Sequence, residues 1–303
     1  MRPMPMHEDQ LLVTTEMVRS LIDDQFPEYA DLPVAPVRSE GTVNAIFRIG
    51  EHLAARFPLQ GDVVATIRFE LQAEADAARE LLGCIRVPVP APVAIGEPGA
   101  CYPMPWSIQT WVPGTTAGTE DVSASDRFAR DLAGFIGEVR AIDVAGRVFS
   151  GDGRGGDLPD HDEWMDFCFH NSTGLVDVPR LRRIWNRLRR LPKVSPDVMT
   201  HGDLTPGNVL VSEGRLVGIL DVGGLGPADP ALDLVGAWHR LDADRRHLLR
   251  HDLGCDELEW ERGKAWALQQ AMGAVWYYRE TNPAMHRMGR DTIERILATE
   301  SNT

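Results

Sequence analysis

The stretch His201-Gly202-Asp203-Leu204-Thr205-Pro206-Gly207-Asn208 carries the strongest chemical signal in the chain. It is a proline-stiffened loop in which a carboxylate, Asp203, stands five residues before an amide, Asn208. Two apolar runs follow, joined by the polar turn 212–215, and a second carboxylate then occurs at Asp221. Because a hairpin returns its two ends to the same place, we expect Asp221 to lie near Asn208.

Oxygen ligands of this kind suit Mg²⁺, which proteins hold through one or two carboxylates together with substrate phosphates. Phosphoryl transfer needs such a metal, a cation on the nucleotide phosphates and a base that receives the acceptor hydroxyl proton. Asp203 can be the base, while Asn208 and Asp221 can hold the metal. The spacing Asp-x-x-x-x-Asn matches the catalytic loop of protein kinases, and Asp221-Val222-Gly223 stands where their Asp-Phe-Gly does.

A third motif, Ala228-Asp229-Pro230-Ala231-Leu232-Asp233-Leu234, completes a pattern that resembles the aminoglycoside phosphotransferase family. Members of that family read His-Gly-Asp-Leu-His-Pro-Gly-Asn, then a hairpin, then Ile-Asp-Phe/Trp-Gly and Gly-Asp-Pro-x-x-Asp-Leu. The resemblance covers about 10–299 and is strongest over 200–240. Thr205 and Val222 depart from the usual histidine and aromatic residue, but neither replaces an expected ligand.

The resemblance implies an α+β, bilobal protein-kinase-like fold. A small antiparallel-sheet N-terminal lobe, 1–112, would bind the nucleotide, and a larger, mainly helical C-terminal lobe, 113–303, would provide catalysis and substrate binding. Mg²⁺ and ATP or GTP are the implied cofactor and co-substrate. Asp203 would be catalytic, and His201, Asp229 and Asp233 would support its loop.

The N-terminal third of the chain contains both helical and strand periodicities. Helices are predicted over 14–26 and, in an alanine- and glutamate-rich segment, over 70–83. Between them, glycine-containing connections separate three short predicted strands at 34–37, 44–49 and 53–57. These segments predict the antiparallel sheet of the smaller lobe.

Protein kinases carry a phosphate-binding lysine on the third strand, paired with a helix glutamate. In this chain the third predicted strand carries Arg56 at that place. The two lysines of the chain, Lys193 and Lys264, lie far downstream. Arginine keeps the positive charge and can bind phosphate oxygens with two donors. The resemblance implies Glu74 as its partner, with Glu70 one helical turn earlier as the alternative. A plain surface arginine is the competing interpretation.

Two further segments are expected to contact the nucleotide. Ser39 and Thr42 lie where a phosphate-covering loop is implied, although an ordinary turn would look the same. A strand predicted over 106–112 places Gln109 and Trp111 just before a hinge, where their backbone groups would meet the base. Backbone contacts do not depend on side-chain type, so the sequence leaves ATP and GTP open.

After the hinge at 113–118 the chain is mostly helical. Ser123 and Asp126 resemble a capping box that opens a helix ending near Ile142. Residues 150–160 are rich in glycine and aspartate and predict a loop. Further helices are predicted over 179–191, 229–250 and 256–280, and after Asn282-Pro283.

Two side-chain groups in the helical part have open interpretations. One is either a metal cluster or a solvated acidic loop that helps to bind a cationic acceptor: His161, Asp162, Glu163, Asp166 and His170. The other either lines the acceptor pocket or packs in the core: Trp266, Trp276, Tyr277 and Tyr278.

Composition restricts the partners. The chain has 31 basic and 45 acidic residues and a net charge of −14, which disfavours nucleic-acid binding and tolerates a cationic small molecule. No apolar run is long enough to span a membrane, and the four cysteines form no CxxC pair. We therefore expect a cytoplasmic protein with reduced thiols.

The predicted activity is transfer of the γ-phosphate of a nucleoside triphosphate to a hydroxyl of a small molecule. The resemblance implies an aminoglycoside or other antibiotic, and therefore antibiotic resistance. Two alternatives stay open at the level of sequence. The acceptor could be a metabolite such as choline, homoserine or a sugar derivative, or the chain could be a nucleotide-binding pseudokinase without turnover.

Overall fold

The structure is a computed structural model that describes residues 10–37 and 44–300. The chain forms two compact units. The first consists of Met1–Gly83, Pro88–Pro113 and Ile219–Gly223, and the second of Cys84–Val87, Gly114–Gly218 and Gly224–Thr303. The domains proposed from the sequence, 1–112 and 113–303, stay a prediction.

The first unit is built on a five-stranded antiparallel sheet with strand order β1-β2-β3-β5-β4. Its strands are β1 (Val34–Val37), β2 (Asn44–Ile49), β3 (Leu53–Pro58), β4 (Pro92–Gly96) and β5 (Trp106–Thr110). The left-handed Gly50, with φ +58°, lies in the tight turn between β2 and β3. The three strands predicted at the N-terminus are therefore confirmed, and the predicted 106–112 strand ends at Thr110.

One face of the sheet packs on helix α1 (Thr15–Gln25). Val18 and Ile22 of the helix join Phe57 and Trp106 of the strands in a common apolar core. The rings of Phe57 and Trp106 stack with centroids 4.8 Å apart. This packing fixes β3, the strand that carries Arg56.

Helix α2 (Val64–Leu81) also belongs to the first unit. The prediction placed this helix at 70–83, and the structure starts it six residues earlier. Ile67 and Leu71 are buried one turn apart, so the apolar stripe already begins in the first turn. As a result, Glu74 stands in the middle of the helix rather than near its start.

The second unit is mainly helical, as predicted. Its helices are α3 (Asp126–Arg140), α4 (Asp162–Asn171), α5 (Val178–Leu188), α6 (Val235–Arg240), α7 (Ala243–Leu253), α8 (Glu257–Tyr277) and α9 (Pro283–Thr299). Helices α8 and α9 pack against each other, and α8 also contacts α4, α5 and α6. Within residues 10–37 and 44–300, no helix is long and apolar enough to cross a membrane.

Short strands of the second unit surround the loop that contains Asp203. They are β6 (Thr115–Thr116), β7 (Val198–Thr200), β8 (Val209–Ser212), β9 (Arg215–Ile219) and β10 (Gly226–Ala228). Strands β6, β8 and β9 form one sheet, and β7 pairs with β10 in another. The predicted hairpin is thus present as β8 and β9, and the last residue of β9 belongs to the first unit.

Two helix predictions and one loop prediction need correction. The cap of α3 is Ser125, whose side chain accepts from the Phe128 backbone N–H, and not Ser123. The predicted 229–250 helix is broken, because Leu241 is extended and the Asp242 side chain caps a new helix, α7. The acidic segment after His161 is not a loop, because α4 begins at Asp162 and buries apolar residues at helical spacing.

Candidate active site

A buried carboxylate holds the backbone of the loop that follows β7. Asp233, with no exposed surface, accepts hydrogen bonds from the backbone N–H groups of His201 at 2.8 Å and Gly202 at 3.0 Å. Gly202 has φ +84°, and a Cβ there would lie 3.1 Å from the carbonyl oxygen of Gly224. His201 Nδ1 accepts from the backbone N–H of Asp203 at 3.2 Å. These contacts fix the backbone that presents Asp203.

The Asp203 carboxylate is held by three side chains of the second unit. Asn208 Nδ2 donates to Oδ2 at 2.9 Å, and to the Asp203 carbonyl oxygen at 3.0 Å. Arg154 Nη2 and Gln270 Nε2 both donate to Oδ1, at 2.8 Å and 2.7 Å. The Asp203 side chain is still 38% exposed, so its carboxylate is accessible to solvent.

Behind Gln270 lies a buried histidine that fixes its amide. His239 Nε2 lies 2.9 Å from Oε1 of Gln270, and its Nδ1 lies 2.9 Å from the hydroxyl of Thr292. Burial lowers the pKa of His239 to about 4; the hydrogen bond with Gln270 and the charge of Asp203 oppose this shift, and the charge of Arg154 adds to it. The neutral imidazole can donate to the Gln270 oxygen, which leaves the Gln270 amide nitrogen aimed at Asp203.

This depressed pKa predicts a loss of stability in mild acid. An unfolded histidine takes up its proton near pH 6.5 and the folded His239 only near pH 4, so the unfolded state binds more protons between these values. The stabilisation is complete above about pH 6.5 and falls, by on the order of 3 kcal/mol, as the pH drops towards 4. Urea unfolding at several pH values should show a weaker pH dependence for His239→Gln than for the exposed control His251→Gln. Equal slopes would contradict the prediction.

Asp229, predicted to support the same loop, makes its contacts elsewhere in the second unit. Its carboxylate pairs with Arg262 at 2.6 Å and accepts from Trp266 Nε1 at 2.9 Å. It also accepts from the backbone N–H of Ala231 at 3.0 Å. The Asp229 backbone N–H donates to the carbonyl oxygen of Gly155 at 2.8 Å, which secures the glycine-rich segment that carries Arg154.

In the first unit, Arg56 is buried and forms an ion pair with Glu74, while Glu70 on the same helix is exposed. Its Nη2 lies 3.6 Å from Oδ1 of Asp221. Burial alone would lower the pKa of Arg56, but the carboxylates of Glu74 and Asp221 outweigh it and raise the pKa above its ordinary value. The charge of Arg56 is therefore secure in spite of its burial.

Asp221 has the left-handed backbone conformation, with φ +56°. Non-glycine residues in this region are uncommon, and they concentrate at functional sites. Its side chain is 51% exposed, whereas the following Val222 is buried. The backbone thus turns a carboxylate outward at the position predicted for a metal ligand.

Residues predicted to bind the nucleotide are placed differently from one another. Gln109 and Glu74 line a cavity of about 170 Å³ between α2 and strands β4 and β5, together with Asp221. Trp111 follows β5, with the guanidinium of Arg48 4.9 Å from its ring centroid. Its backbone N–H is already used, because it donates to the carbonyl oxygen of His52 at 2.7 Å. Ser39 and Thr42 lie outside the described residues.

The predicted histidine and acid cluster is not a metal site in this structure. Within the described part of the chain, no three histidine, cysteine or acidic side chains could hold a metal ion together. Asp162 pairs with Arg189 and Asp166 with Arg182, so both acids are already neutralised. The predicted acidic group therefore supplies less free negative charge than the sequence indicates.

The aromatic residues divide between the core and the surface. Trp266 is fully buried and donates to Asp229, so it belongs to the core. The others form a contiguous, partly exposed group that we call the aromatic patch: Trp164, Phe167, Trp276, Tyr277 and Tyr278. Tyr277 follows Gln270 by seven residues of α8, which is about 10 Å and nearly the same helix face.

Sequence reasoning missed Arg154, Gln270 and His239. Arg154 belongs to a segment that was predicted only as a loop. The one feature of the sequence that could have indicated its role is a long cationic side chain among glycines. Gln270 and His239 are polar residues within otherwise apolar helical stretches. Buried polar groups need partners, but the sequence does not show that the partner is Asp203.

A small antiparallel-sheet unit with Arg56–Glu74 in the place of the kinase Lys–Glu pair, and a helical unit with an Asp-x-x-x-x-Asn loop, match the protein-kinase-like class of folds. The family model described as "Phosphotransferase enzyme family" matches residues 35–266. The chain therefore belongs to this phosphotransferase family, and the family resemblance seen in the sequence is confirmed.

Curated relatives agree with this assignment. An aminoglycoside 3'-phosphotransferase of Escherichia coli is 31% identical over 149 residues, which is 45% of this chain and 52% of that protein. One of Streptomyces fradiae is 31% identical over 198 residues, 58% of this chain and 66% of that protein. The chain spans about half the length of the Escherichia coli relative.

Solved structures confirm the fold. The GDP and kanamycin complex of APH(2")-IIia superposes with a TM-score of 0.70 and 20% sequence identity, covering 93% of this chain and 99% of that one. At this identity the likeness concerns the fold, which agrees with the predicted kinase-like architecture.

Proposed function

We propose that this protein transfers the γ-phosphate of ATP or GTP to a hydroxyl of an aminoglycoside or another small antibiotic. The observation that carries the proposal is the Asp203 carboxylate, accessible to solvent and held by Asn208 at hydrogen-bonding distance. Membership of the phosphotransferase family and the aminoglycoside 3'-phosphotransferase relatives support it. The nucleotide complexes among related structures support a nucleotide as co-substrate.

In this proposal Asp203 is the general base. The acceptor hydroxyl hydrogen-bonds to its carboxylate, gives up its proton and attacks the γ-phosphorus, and the nucleoside diphosphate leaves. The hydrogen bonds that the backbone N–H groups of His201 and Gly202 donate to Asp233 keep the Asp203 carboxylate in place without occupying it. Positioning of this kind supplies much of the catalysis in phosphoryl transfer, which needs little covalent chemistry from the protein.

Asn208 and Asp221 are the residues that would hold Mg²⁺. The Asn208 amide donates to Asp203 through its nitrogen, so its oxygen is directed away from that carboxylate, and Asp221 is an outward-turned carboxylate. Hard oxygen donors without thiolate or imidazole fit Mg²⁺ rather than zinc. When bound, the metal would neutralise the nucleotide phosphates. Arg56 would add a second positive charge there, held in place by Glu74.

Metal dependence is directly testable. We expect no phosphoryl transfer after chelation by EDTA and full recovery on adding Mg²⁺. Asp221→Ala should raise the Mg²⁺ concentration needed for half-maximal turnover by at least about tenfold, since one of two protein ligands is lost. Glu257→Ala, which removes an exposed carboxylate from the surface of α8, is the control. An unchanged Mg²⁺ requirement in Asp221→Ala would remove this residue from the metal site.

The acceptor is proposed to contact the second unit along α8. Trp276 and Tyr277 of the aromatic patch lie on this helix, about two turns after Gln270, whose amide contacts Asp203. Aromatic faces stack on sugar rings and attract ammonium groups, and both features occur in aminoglycosides. Asp162 and Asp166 are paired with arginines, so the aromatic patch is a stronger candidate than these acids for contacts with a cationic acceptor.

The experiment is nucleoside diphosphate release with Mg²⁺ and ATP or GTP. The panel contains aminoglycosides, macrolides, nucleoside antibiotics and small metabolic alcohols, and Asp203→Ala accompanies the native protein. Release that an antibiotic stimulates and the substitution abolishes establishes the proposed reaction. Release stimulated by choline, homoserine or a sugar derivative would replace it with a metabolite kinase, and nucleotide binding without any release would replace it with a pseudokinase.

The cellular setting is part of the same proposal. All four cysteines carry free thiols, and Cys168 and Cys255 are buried. Burial raises the pKa of the Cys168 thiol to about 11, which keeps it unreactive. Such thiols suit a reducing cytoplasm, where nucleoside triphosphates are also available.

A further inference from the structure

Oδ1 and Oδ2 of Asp203 differ in the hydrogen bonds they receive. A carboxylate has about four acceptor positions, two on each oxygen. Oδ1 receives Arg154 and Gln270, so both of its positions are filled. Within residues 10–37 and 44–300, Oδ2 receives one hydrogen bond, from Asn208. One position on Oδ2 is therefore open to an incoming hydroxyl.

Arg154 is fixed by the residues that follow it in the chain. Gly155 has φ +114°, and a Cβ there would lie 2.6 Å from the side chain of Ala228. The carbonyl oxygens of Gly155 and Gly156 accept from the Asp229 backbone and from Arg262. Before Arg154, by contrast, a Cβ on Gly153 would meet no atom within 4 Å. The backbone after Arg154 is thus closely packed, and this packing holds the arginine towards Asp203.

The position of this cation matters for the proposed reaction. As the phosphoryl group passes to the acceptor oxygen, its negative oxygens come close to the negative carboxylate of the base. Arg154 donates to Oδ1 of Asp203 at 2.8 Å and to the carbonyl oxygen of Gly202 at 3.2 Å. Its charge is therefore held beside Oδ1, while Oδ2 is the oxygen that is open to the acceptor hydroxyl. Gln270 makes a similar hydrogen bond without any charge.

We infer that Arg154 is a positioning residue for phosphoryl transfer: it holds Oδ1 of Asp203 and offsets its charge, so that Oδ2 receives the acceptor proton. The inference rests on the proposed function. In the step, the hydroxyl proton moves to Oδ2 of Asp203 and the acceptor oxygen forms a bond to the γ-phosphorus. The bond from the γ-phosphorus to the bridging oxygen breaks, and the nucleoside diphosphate carries away that electron pair.

Three substitutions separate charge from hydrogen bonding and from packing. Arg154→Lys keeps the charge, Arg154→Gln keeps a donor without charge, and Arg154→Ala keeps neither. We expect kcat to fall about 10²-fold in the Gln and Ala variants, the scale of losing a preorganised electrostatic contact, and less than tenfold in the Lys variant. The KM for the nucleotide should change by no more than about twofold in all three.

The control is Arg147→Ala, in the same connection between α3 and α4. The Arg147 guanidinium hydrogen-bonds to the carbonyl oxygens of Val144 and Asp143, remote in sequence from the Asp203 loop. It should leave kcat unchanged. Thermal unfolding of every variant identifies a purely structural effect, which would lower the melting temperature and affect Lys, Gln and Ala alike.

The possible outcomes are distinguishable. Loss in the Gln variant with retention in the Lys variant supports the inference. Equal kcat for the Gln and Lys variants would overturn it, and faster turnover in Arg154→Ala would show an inhibitory contact instead. In both cases the proposed function stands as long as Asp203→Ala is inactive. A native protein that transfers phosphate to no acceptor on the panel would overturn the proposed function and this inference together.

Discussion

Replacement of Asp203 by asparagine is expected to lower kcat by about 10²- to 10⁴-fold, the range for loss of a positioned general base. Asparagine keeps the size of the side chain and can still accept from Arg154 and Gln270, so the loop should keep its conformation. It loses the capacity to take up the hydroxyl proton and the hydrogen bond from Asn208 to Oδ2, while the hydrogen bond from Asn208 to the backbone carbonyl oxygen at this position remains possible. The KM for the nucleotide should therefore stay within about twofold of the native value.

Steady-state kinetics with the best acceptor of the panel provide the measurement. Asp131→Asn is the matched control, since it removes one carboxylate of the second unit whose partner is Arg215 at the surface. The control should keep native kcat. If Asp203→Asn turned over as fast as this control, Asp203 would not be the base, whatever the protein's acceptor.

The sequence predicts the first unit well because its signals are local. Two short apolar runs and a glycine turn define β2 and β3, and their register places Arg56 opposite Ile46. The helical period of α2 then narrows the partner of Arg56 to Glu70 or Glu74. Only the three-dimensional packing distinguishes the two, and it pairs Arg56 with Glu74.

The surroundings of Asp203 are harder to predict because they come from distant parts of the chain. Arg154 precedes it by 49 residues and Gln270 follows it by 67. Neither belongs to a motif with fixed spacing, so local pattern carries no information about the contact. The same holds for the acids of α4, whose neutralisation by Arg182 and Arg189 depends on how α4 packs on α5.

The predicted helix boundaries were wrong where side chains form hydrogen bonds with backbone groups that the helix would otherwise use. Residues 229–250 have a continuous helical period, yet Asp242 accepts from the Arg245 backbone and starts a new helix. A capping aspartate inside an apolar pattern offers the backbone an alternative hydrogen bond, and this alternative prevails when Leu241 is buried in an extended conformation. The prediction of Ser123 as the cap of α3 was also wrong, because Ser125 lies closer to the first buried turn of that helix.

The largest effect on stability is expected at Arg262, which is almost completely buried with Asp229. Arg262→Leu leaves that carboxylate in the interior without its cation, and it removes the donors to the carbonyl oxygens of Leu191 and Gly156. Breaking a buried ion pair from one side costs about 3–5 kcal/mol, because the remaining charge is desolvated and uncompensated. Urea unfolding followed by tryptophan emission should show a correspondingly lower midpoint.

Arg290→Leu is the control, because Arg290 and Glu294 form an exposed pair one turn apart on α9. Such a pair contributes about 0–1 kcal/mol, so its loss should hardly move the midpoint. A double variant, Arg262→Met with Asp229→Leu, removes both charges and should recover part of the stability lost in Arg262→Leu. Equal midpoints for Arg262→Leu and Arg290→Leu would show that the buried pair does not stabilise the second unit. Because Arg262 also holds Gly156, close to Arg154, Arg262→Leu should lower kcat even at temperatures where the variant stays folded.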